Sequence, residues 1–176
     1  MGDKGRLCLL SFLLIIVSKM SDVRVLSVLD GTIEILPASW RDLSAVRNLE
    51  QVCFPMDAWP LLDMLGAITL PNIVRLKAME NGEMIGFVAG DIKRFTRTGW
   101  IATICVHPDH RGRGLGTAML QLCEERMGMP RVKLSVRESN TAAIEMYRRN
   151  GYVQVGTWKR YYKGGDDAVV MEKVLG

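Results

Sequence analysis

From Gly31 onward, short apolar runs alternate with stretches of helical spacing, and no internal repeat or low-complexity linker interrupts them. Thr32–Leu36 predicts a short strand. Pro37–Ser39 introduces a helix over 40–53, in which Leu43, Val46, Leu49 and Val52 keep helical spacing. Phe54-Pro55 ends it, because a residue preceding proline is pushed out of the α region. A second short helix is predicted over 61–70, stopping before Pro71. Ile73–Met79 and Glu83–Ile92 flank Asn81-Gly82, a strong hairpin signal. Lys93–Gly99 loops into an apolar strand, Trp100–Val106. A helix then follows, through about Met127, on the apolar face Leu115, Ala118/Met119, Leu122 and Cys123. Val132–Val136 is a strand, and Ser139 or Asn140 caps a helix that Asn150-Gly151 terminates. Tyr152–Trp158 and Ala168–Lys173 are the last strands, joined by a long turn containing Gly164-Gly165-Asp166. This order predicts an α+β fold: a mixed, mostly antiparallel twisted sheet of six to seven strands, with a βαβ unit in its second half and about four flanking helices.

The segment before Gly31 reads differently. Leu7–Ser18 is almost wholly apolar and is flanked by Lys4, Arg6 and Lys19. As a helix it reaches about 18 Å at 1.5 Å per residue, short of the ~30 Å hydrocarbon core, so no stable membrane span is expected. In length and basic flank it resembles a signal-peptide core, but no A-x-A-like cleavage site follows. A translation start at Met20, before the polar Ser21-Asp22, is the reading we favour. Residues 1–21 are then an apolar extension and 22–176 the domain, which reads as a cytoplasmic enzyme.

Composition narrows the class. At 176 residues, 48% hydrophobic and 24% charged, the chain has the balance of one globular domain, not of a disordered, fibrous or multi-span protein. Half of the net charge of +4 falls within residues 1–20, where Lys4, Arg6 and Lys19 face only Asp3. So thin a basic signal argues against nucleic acid as the primary ligand. Cys8, Cys53, Cys105 and Cys123 show no C-x-x-C spacing and no His clustering, so no metal site is expected. They read as small buried hydrophobes of a reducing compartment.

The chemistry concentrates in His107-Pro108-Asp109-His110-Arg111-Gly112-Arg113-Gly114-Leu115-Gly116, between strand and helix. Closely spaced glycines let backbone N–H groups turn inward, and a helix start adds unpaired donors and partial positive charge. Together they suit phosphate, with Arg111 and Arg113 as further charge. A Walker loop is absent. The dinucleotide fingerprint fails on topology, because the residues after Glu138 are too few for the parallel sheet it requires.

The pattern [RQ]-x-x-G-x-[GA] at this helix start resembles the acetyl-coenzyme A loop of the GNAT N-acetyltransferases. Ser139–Tyr147 and the following Arg148-Arg149-Asn150-Gly151-Tyr152 are similar to the family's N-x-x-A-x-x-x-Y-x-x-x-G-F/Y element. The resemblance covers about Thr32–Leu175. Three further stretches look like the branch that acetylates protein N-terminal α-amines, including the bacterial ribosomal-protein-alanine (RimI) type. Val52-Cys53-Phe54-Pro55-Met56 resembles a turn lining the peptide side. Trp158-Lys159-Arg160-Tyr161-Tyr162 resembles an element whose tyrosines hold the first substrate residues, although strand packing alone also accounts for Tyr161 and Tyr162. Gly165–Met171 resembles the branch's G-E-D-A-x-x-M ending.

What the resemblance implies is direct attack of an amine on the thioester of acetyl-CoA, the co-substrate. The backbone of Ile104, Cys105 and Val106 bonds the pantetheine arm, and one of its N–H groups polarises the carbonyl. Arg111, Gly112, Arg113, Gly114, Leu115, Gly116 and Thr117 hold the pyrophosphate. Asn140 bonds the arm, compatibly with capping its helix. Tyr147, on one helical face with Asn140 and Ala143, protonates the departing sulfur; core packing is its plainer alternative. Phe54, Pro55, Met56, Tyr161 and Tyr162 line the acceptor side.

The branch carries a glutamate as base where this chain has Ser135, in Leu134-Ser135-Val136-Arg137-Glu138-Ser139-Asn140. An α-amine of pKa about 8 is roughly a tenth neutral at pH 7, against well under a thousandth for lysine, so it tolerates that loss better. Asp57, Glu138 and His107 are the alternative bases. The expected activity is acetylation of a protein or peptide N-terminus, possible ribosomal proteins included. A small amine or lysine acceptor, and a non-catalytic acyl-CoA sensor, stand as rivals.

Overall fold

The computed structural model describes residues 24–28, 31–55, 66 and 69–175. Its sheet has eight strands: β1 (Arg24–Val28), β2 (Gly31–Pro37), β3 (Ile73–Glu80), β4 (Glu83–Lys93), β5 (Thr98–Val106), β6 (Arg131–Arg137), β7 (Val153–Trp158) and β8 (Ala168–Val174). Their order across the sheet is β1-β2-β3-β4-β5-β6-β8-β7. Every neighbouring pair is antiparallel except β5–β6. The strand beyond the expected six to seven is β1, which lies inside the expected domain but where no element was predicted.

Three α-helices stand among the described residues: α1 (Leu43–Cys53), α2 (Leu115–Met127) and α3 (Thr141–Arg149). The expected helix over 61–70 falls almost wholly outside the described residues, as do Met56, Asp57 and the apolar extension. The chain enters α1 through a single 3-10 turn, Trp40–Asp42, where the Ser39 N–H donates to Asp42 Oδ2 at 2.8 Å. Val52, expected on the buried face of α1, is exposed. Cys53 turns inward in its place, because Val46, Glu50 and Cys53 lie on one helical face.

Asn81 and Gly82 both take the left-handed conformation, φ 51° and 83°, which matches the tight β3–β4 turn to the twist of its strands. The larger core lies between the sheet and α2 and α3. It is built from residues such as Ile35, Val88, Ile101, Met119, Leu120, Leu134, Ile144 and Met171. Gly90 and Gly99 let α2 approach closely: a Cβ at either would stand 2.6 or 2.8 Å from Met127 Sδ. On the other face α1 packs a smaller core of Ala38, Val46, Leu49, Phe87, Ala89 and Cys105.

One irregularity shapes everything downstream. Ala89 pairs with Thr103 and Gly90 with Ile101, leaving Ala102 as an extra residue in β5. Such a bulge bends its strand and breaks the alternation of faces. Ile101 therefore joins the larger core while Cys105 joins the smaller one. Parallel pairing between β5 and β6 extends only from Thr98↔Arg131 to Ile101↔Leu134. Beyond the bulge the strands separate.

Candidate active site

From Ala102 to Val106 β5 keeps β4 on one side and faces an opening on the other. Two cavities, of about 520 and 380 Å³, meet in that opening. Both are lined by Cys53, Phe54, Ile104, Asn140, Ala143 and Tyr147.

The larger cavity runs along Ile104, Cys105 and Val106 to the start of α2. Gly112 and Gly114 have φ of 77° and 78°, and a Cβ at either would meet nothing within 4 Å. Glycine is needed there for backbone angle, not for room. Gly114 is the N-cap of α2, so the amides of Leu115, Gly116 and Thr117 have no partner inside the helix. Three donors at the positive end of a helix dipole form a cradle for an anion. At Gly116 the reason is room: a Cβ would lie 3.2 Å from Met146 Sδ, so α2 and α3 touch at their first and last turns. Asn150 reinforces this contact by donating to Thr117 Oγ1 at 3.3 Å.

The two arginines of the loop diverge. Arg111 Nε donates to the Val106 carbonyl at 3.1 Å, and the residue lines the cavity. Arg113 is turned away: its Nη2 and Nη1 donate to Glu80 Oε1 and Oε2 at 2.8 and 3.1 Å. His110 Nδ1 stands 2.9 Å from the same carboxylate. The Arg113 guanidinium holds the Glu80 carboxyl below its usual range, with His110 adding to the effect. The expectation of two phosphate-facing arginines is thus corrected: the side chain of Arg113 ties the loop to the end of β3.

Asn140 rather than Ser139 caps α3, its Oδ1 accepting from the Ala143 N–H at 3.2 Å. Tyr147 lies two turns further along the same face. It is buried, yet it lines both cavities. Burial, with Tyr162 nearby, pushes its phenol well above the ordinary range, so it stays protonated at any physiological pH.

The smaller cavity is walled by Phe54 and Pro55 at the end of α1, Ala102 and Thr103 at the bulge, Ser135–Arg137 of β6, and Tyr162. The Arg137 guanidinium sits 4.7 Å over the Tyr162 ring and pairs with Asp166. Tyr161 is turned outward, 55% exposed. It is wedged between Trp158 and Tyr162, each at a ring separation of 5.1 Å. Trp158 in turn stacks flat on Trp100 of β5 at 5.7 Å, so an aromatic chain runs from β5 to Tyr162 in the cavity wall.

Of the alternative bases, Glu138 is exposed, and neither it nor His107 lines either of these two cavities. Sequence reasoning gave Cys53 no chemical role and missed Thr103 and Glu50. Cys53 Sγ donates to the Val106 carbonyl at 3.3 Å. Its hydrogen bond with Cys105, aided by Arg111 and opposed by burial, lowers its pKa to about 7. Cys105 is pushed far upward by the same pairing and by burial. Glu50 is 1% exposed and accepts from Thr103 Oγ1 at 3.0 Å. The available signal was its place on the buried face of α1, four residues after Val46.

Residues 43–152 match the model of the acetyltransferase (GNAT) family. The chain is 34% identical over 127 residues to the N-alpha-acetyltransferase RimI of Mycobacterium tuberculosis, covering 68% of this chain and 78% of that one. It is 30% identical over 113 residues to the L-amino acid N-acetyltransferase AaaT of Escherichia coli, covering 59% and 70%. Among solved structures, the ribosomal-protein-S18-alanine N-acetyltransferase of E. coli superposes with a TM-score of 0.75 at 25% identity, over 82% of this chain and 94% of that one. An open mixed sheet, a bulged strand leading to a glycine-built cradle, and this match over most of the domain agree: the chain belongs to the GNAT family of acetyltransferases, enzymes that draw on acetyl-CoA as co-substrate.

Proposed function

We propose that the protein moves the acetyl group of acetyl-CoA to the N-terminal α-amine of a protein or peptide in the cytoplasm, ribosomal proteins being among the candidate acceptors. The observation that carries this reading is the wall of the smaller cavity. Among the described residues it holds one arginine and no carboxylate or imidazole. Polyamines and lysine side chains are cationic at neutral pH and gain from acidic walls. An α-amine arrives partly neutral and needs no such wall. The likeness to two N-terminal acetyltransferases supports the same acceptor.

In this reading the amides of Leu115, Gly116 and Thr117, with Arg111, hold the pyrophosphate of the co-substrate. The unpaired edge of Ile104–Val106 bonds its pantetheine arm as an added strand, and one N–H there polarises the thioester carbonyl. Tyr147 donates its phenolic proton to the departing sulfur. Phe54, Pro55 and Tyr162 receive the first acceptor residues. A second acceptor, the α-amine of a free amino acid, is favoured by the likeness to the E. coli L-amino acid enzyme.

The test is a mass-detected acetylation assay on peptides with varied first residues, alongside free amino acids, spermidine and an N-terminally blocked lysine peptide. Acetylation of free-N-terminus peptides with the blocked peptide inert is the expected result. Turnover confined to spermidine or lysine overturns the reading. A protein that binds acetyl-CoA and acetylates nothing is a sensor.

A further inference from the structure

Ser135 occupies the position at which the related branch carries a base, so the acceptor's proton needs another exit. α1 carries Glu50 into the smaller core, 1% exposed, on the face that also buries Val46 and Leu49. A carboxylate in such a layer is costly to desolvate unless it is well hydrogen-bonded.

One partner of the Glu50 carboxylate is a hydroxyl that reaches the cavity wall. Thr103 follows the extra residue of β5, and the bulge turns it toward α1, where its Oγ1 donates to Glu50 Oε1 at 3.0 Å. Thr103 also forms part of the wall of the acceptor cavity. Since the hydroxyl hydrogen is engaged by Glu50, the oxygen keeps its acceptor capacity for a donor other than Glu50. The pair is therefore polarised for a proton to enter at Thr103 and leave toward Glu50.

We propose that Thr103 and Glu50 carry away the acceptor's proton during acetyl transfer. As the amine nitrogen bonds the acetyl carbon and the carbon–sulfur bond breaks, an N–H proton passes to Thr103 Oγ1. The Thr103 hydroxyl proton passes to Glu50 Oε1, and the sulfur leaves with the proton of Tyr147. Once the product has left, return of the Glu50 proton through Thr103 to water in the emptied cavity and uptake of one by Tyr147 restore the enzyme. Thr103 touches the acceptor, and Glu50 acts through it. The proposal rests on amine acetylation alone and holds for whichever acceptor the peptide and amine panel selects.

The experiment compares wild type with Thr103→Val, Thr103→Ser and Glu50→Gln, using the acceptor of that panel with the highest turnover. For Thr103→Val, kcat falls about a hundredfold, within the range of lost proton transfer, while acetyl-CoA affinity stays within about twofold. Thr103→Ser restores most of the rate. Rates in mixtures of light and heavy water bow for wild type, reporting the two protons of the relay moving with that of Tyr147, and flatten toward a straight line for Thr103→Val. A Thr103→Val enzyme within about threefold of wild-type kcat and with the same bowing overturns the proposal. So does a Thr103→Ser enzyme as slow as the valine variant. Glu50→Gln with an unchanged melting temperature shows the same loss as Thr103→Val. If that variant does not fold, the two Thr103 variants decide alone.

Discussion

Tyr147 combines a buried ring, a face on both cavities and a phenol held in its neutral form. Its replacement by phenylalanine keeps the packing and removes the proton. We expect kcat to drop by about 10²-fold with acetyl-CoA affinity unchanged by calorimetry; equal turnover would return Tyr147 to the core. Cys53 offers a pH-dependent readout of the same place. Because its pKa is lowered to about 7, the thiolate fraction grows as pH rises through 7 instead of near the ordinary value of about 8.5. Alkylation by iodoacetamide should reach half its plateau rate near pH 7 in the folded protein and slow when CoA is added. A midpoint near 8.5 would contradict the contact with Cys105 and Arg111.

At the level of elements, two joints set the cradle. Glu80, at the end of β3, grips Arg113 and His110 across more than thirty residues of sequence. Glu80→Gln removes the charge from that grip, and charge-assisted hydrogen bonds contribute about 1.5–3 kcal/mol each. Acetyl-CoA binding should weaken roughly tenfold with little change in far-ultraviolet dichroism. The other joint is the bulge. Removing Ala102 lets Thr103 follow Ile101 directly in the same register against β4, so Thr103 and Cys105 keep their face but the bend that parts β5 from β6 is lost. The expected outcome is a folded protein that gives no calorimetric heat with acetyl-CoA. These joints also mark where sequence legibility stops. The helix end at Asn150-Gly151, the Asn81-Gly82 hairpin and the glycine-rich turn before α2 were all readable, because each depends on residues adjacent in the chain. Trp100–Val106 reads as an ordinary alternating strand, and its bulge exists only relative to β4. The Arg113–Glu80 pair likewise depends on a strand order that local spacing does not encode.

The molecule as a whole divides into two antiparallel blocks, β1–β5 and β6-β8-β7, and the smaller cavity draws walls from both. The Trp100–Trp158 stack fastens one block to the other, and Trp158 reaches the wall residue Tyr162 through Tyr161. An aromatic pair of this kind adds about 0.5–1.5 kcal/mol beyond its burial. Trp158→Ala should therefore raise the KM for the acceptor several-fold, lower the melting temperature by a few degrees and leave acetyl-CoA affinity alone. An unchanged acceptor KM would separate the stack from acceptor binding. At this scale the sequence conveyed the α+β class and the long-range meeting of the coenzyme-side elements, through motifs that resemble a family. The fastening of the blocks by two tryptophans 58 residues apart had no counterpart in any local pattern.

The single parallel seam, Thr98–Ile101 against Arg131–Leu134, leaves the far half of β5 without a neighbour on that flank. A ligand lying there closes the sheet the way a clasp closes a collar. Amides from Ala102 to Val106 should then be among the strand positions whose deuterium uptake slows most when acetyl-CoA is present. Since binding to the native form alone raises stability with the logarithm of free ligand, the protein's resistance to heat becomes a gauge of how much acyl donor surrounds it.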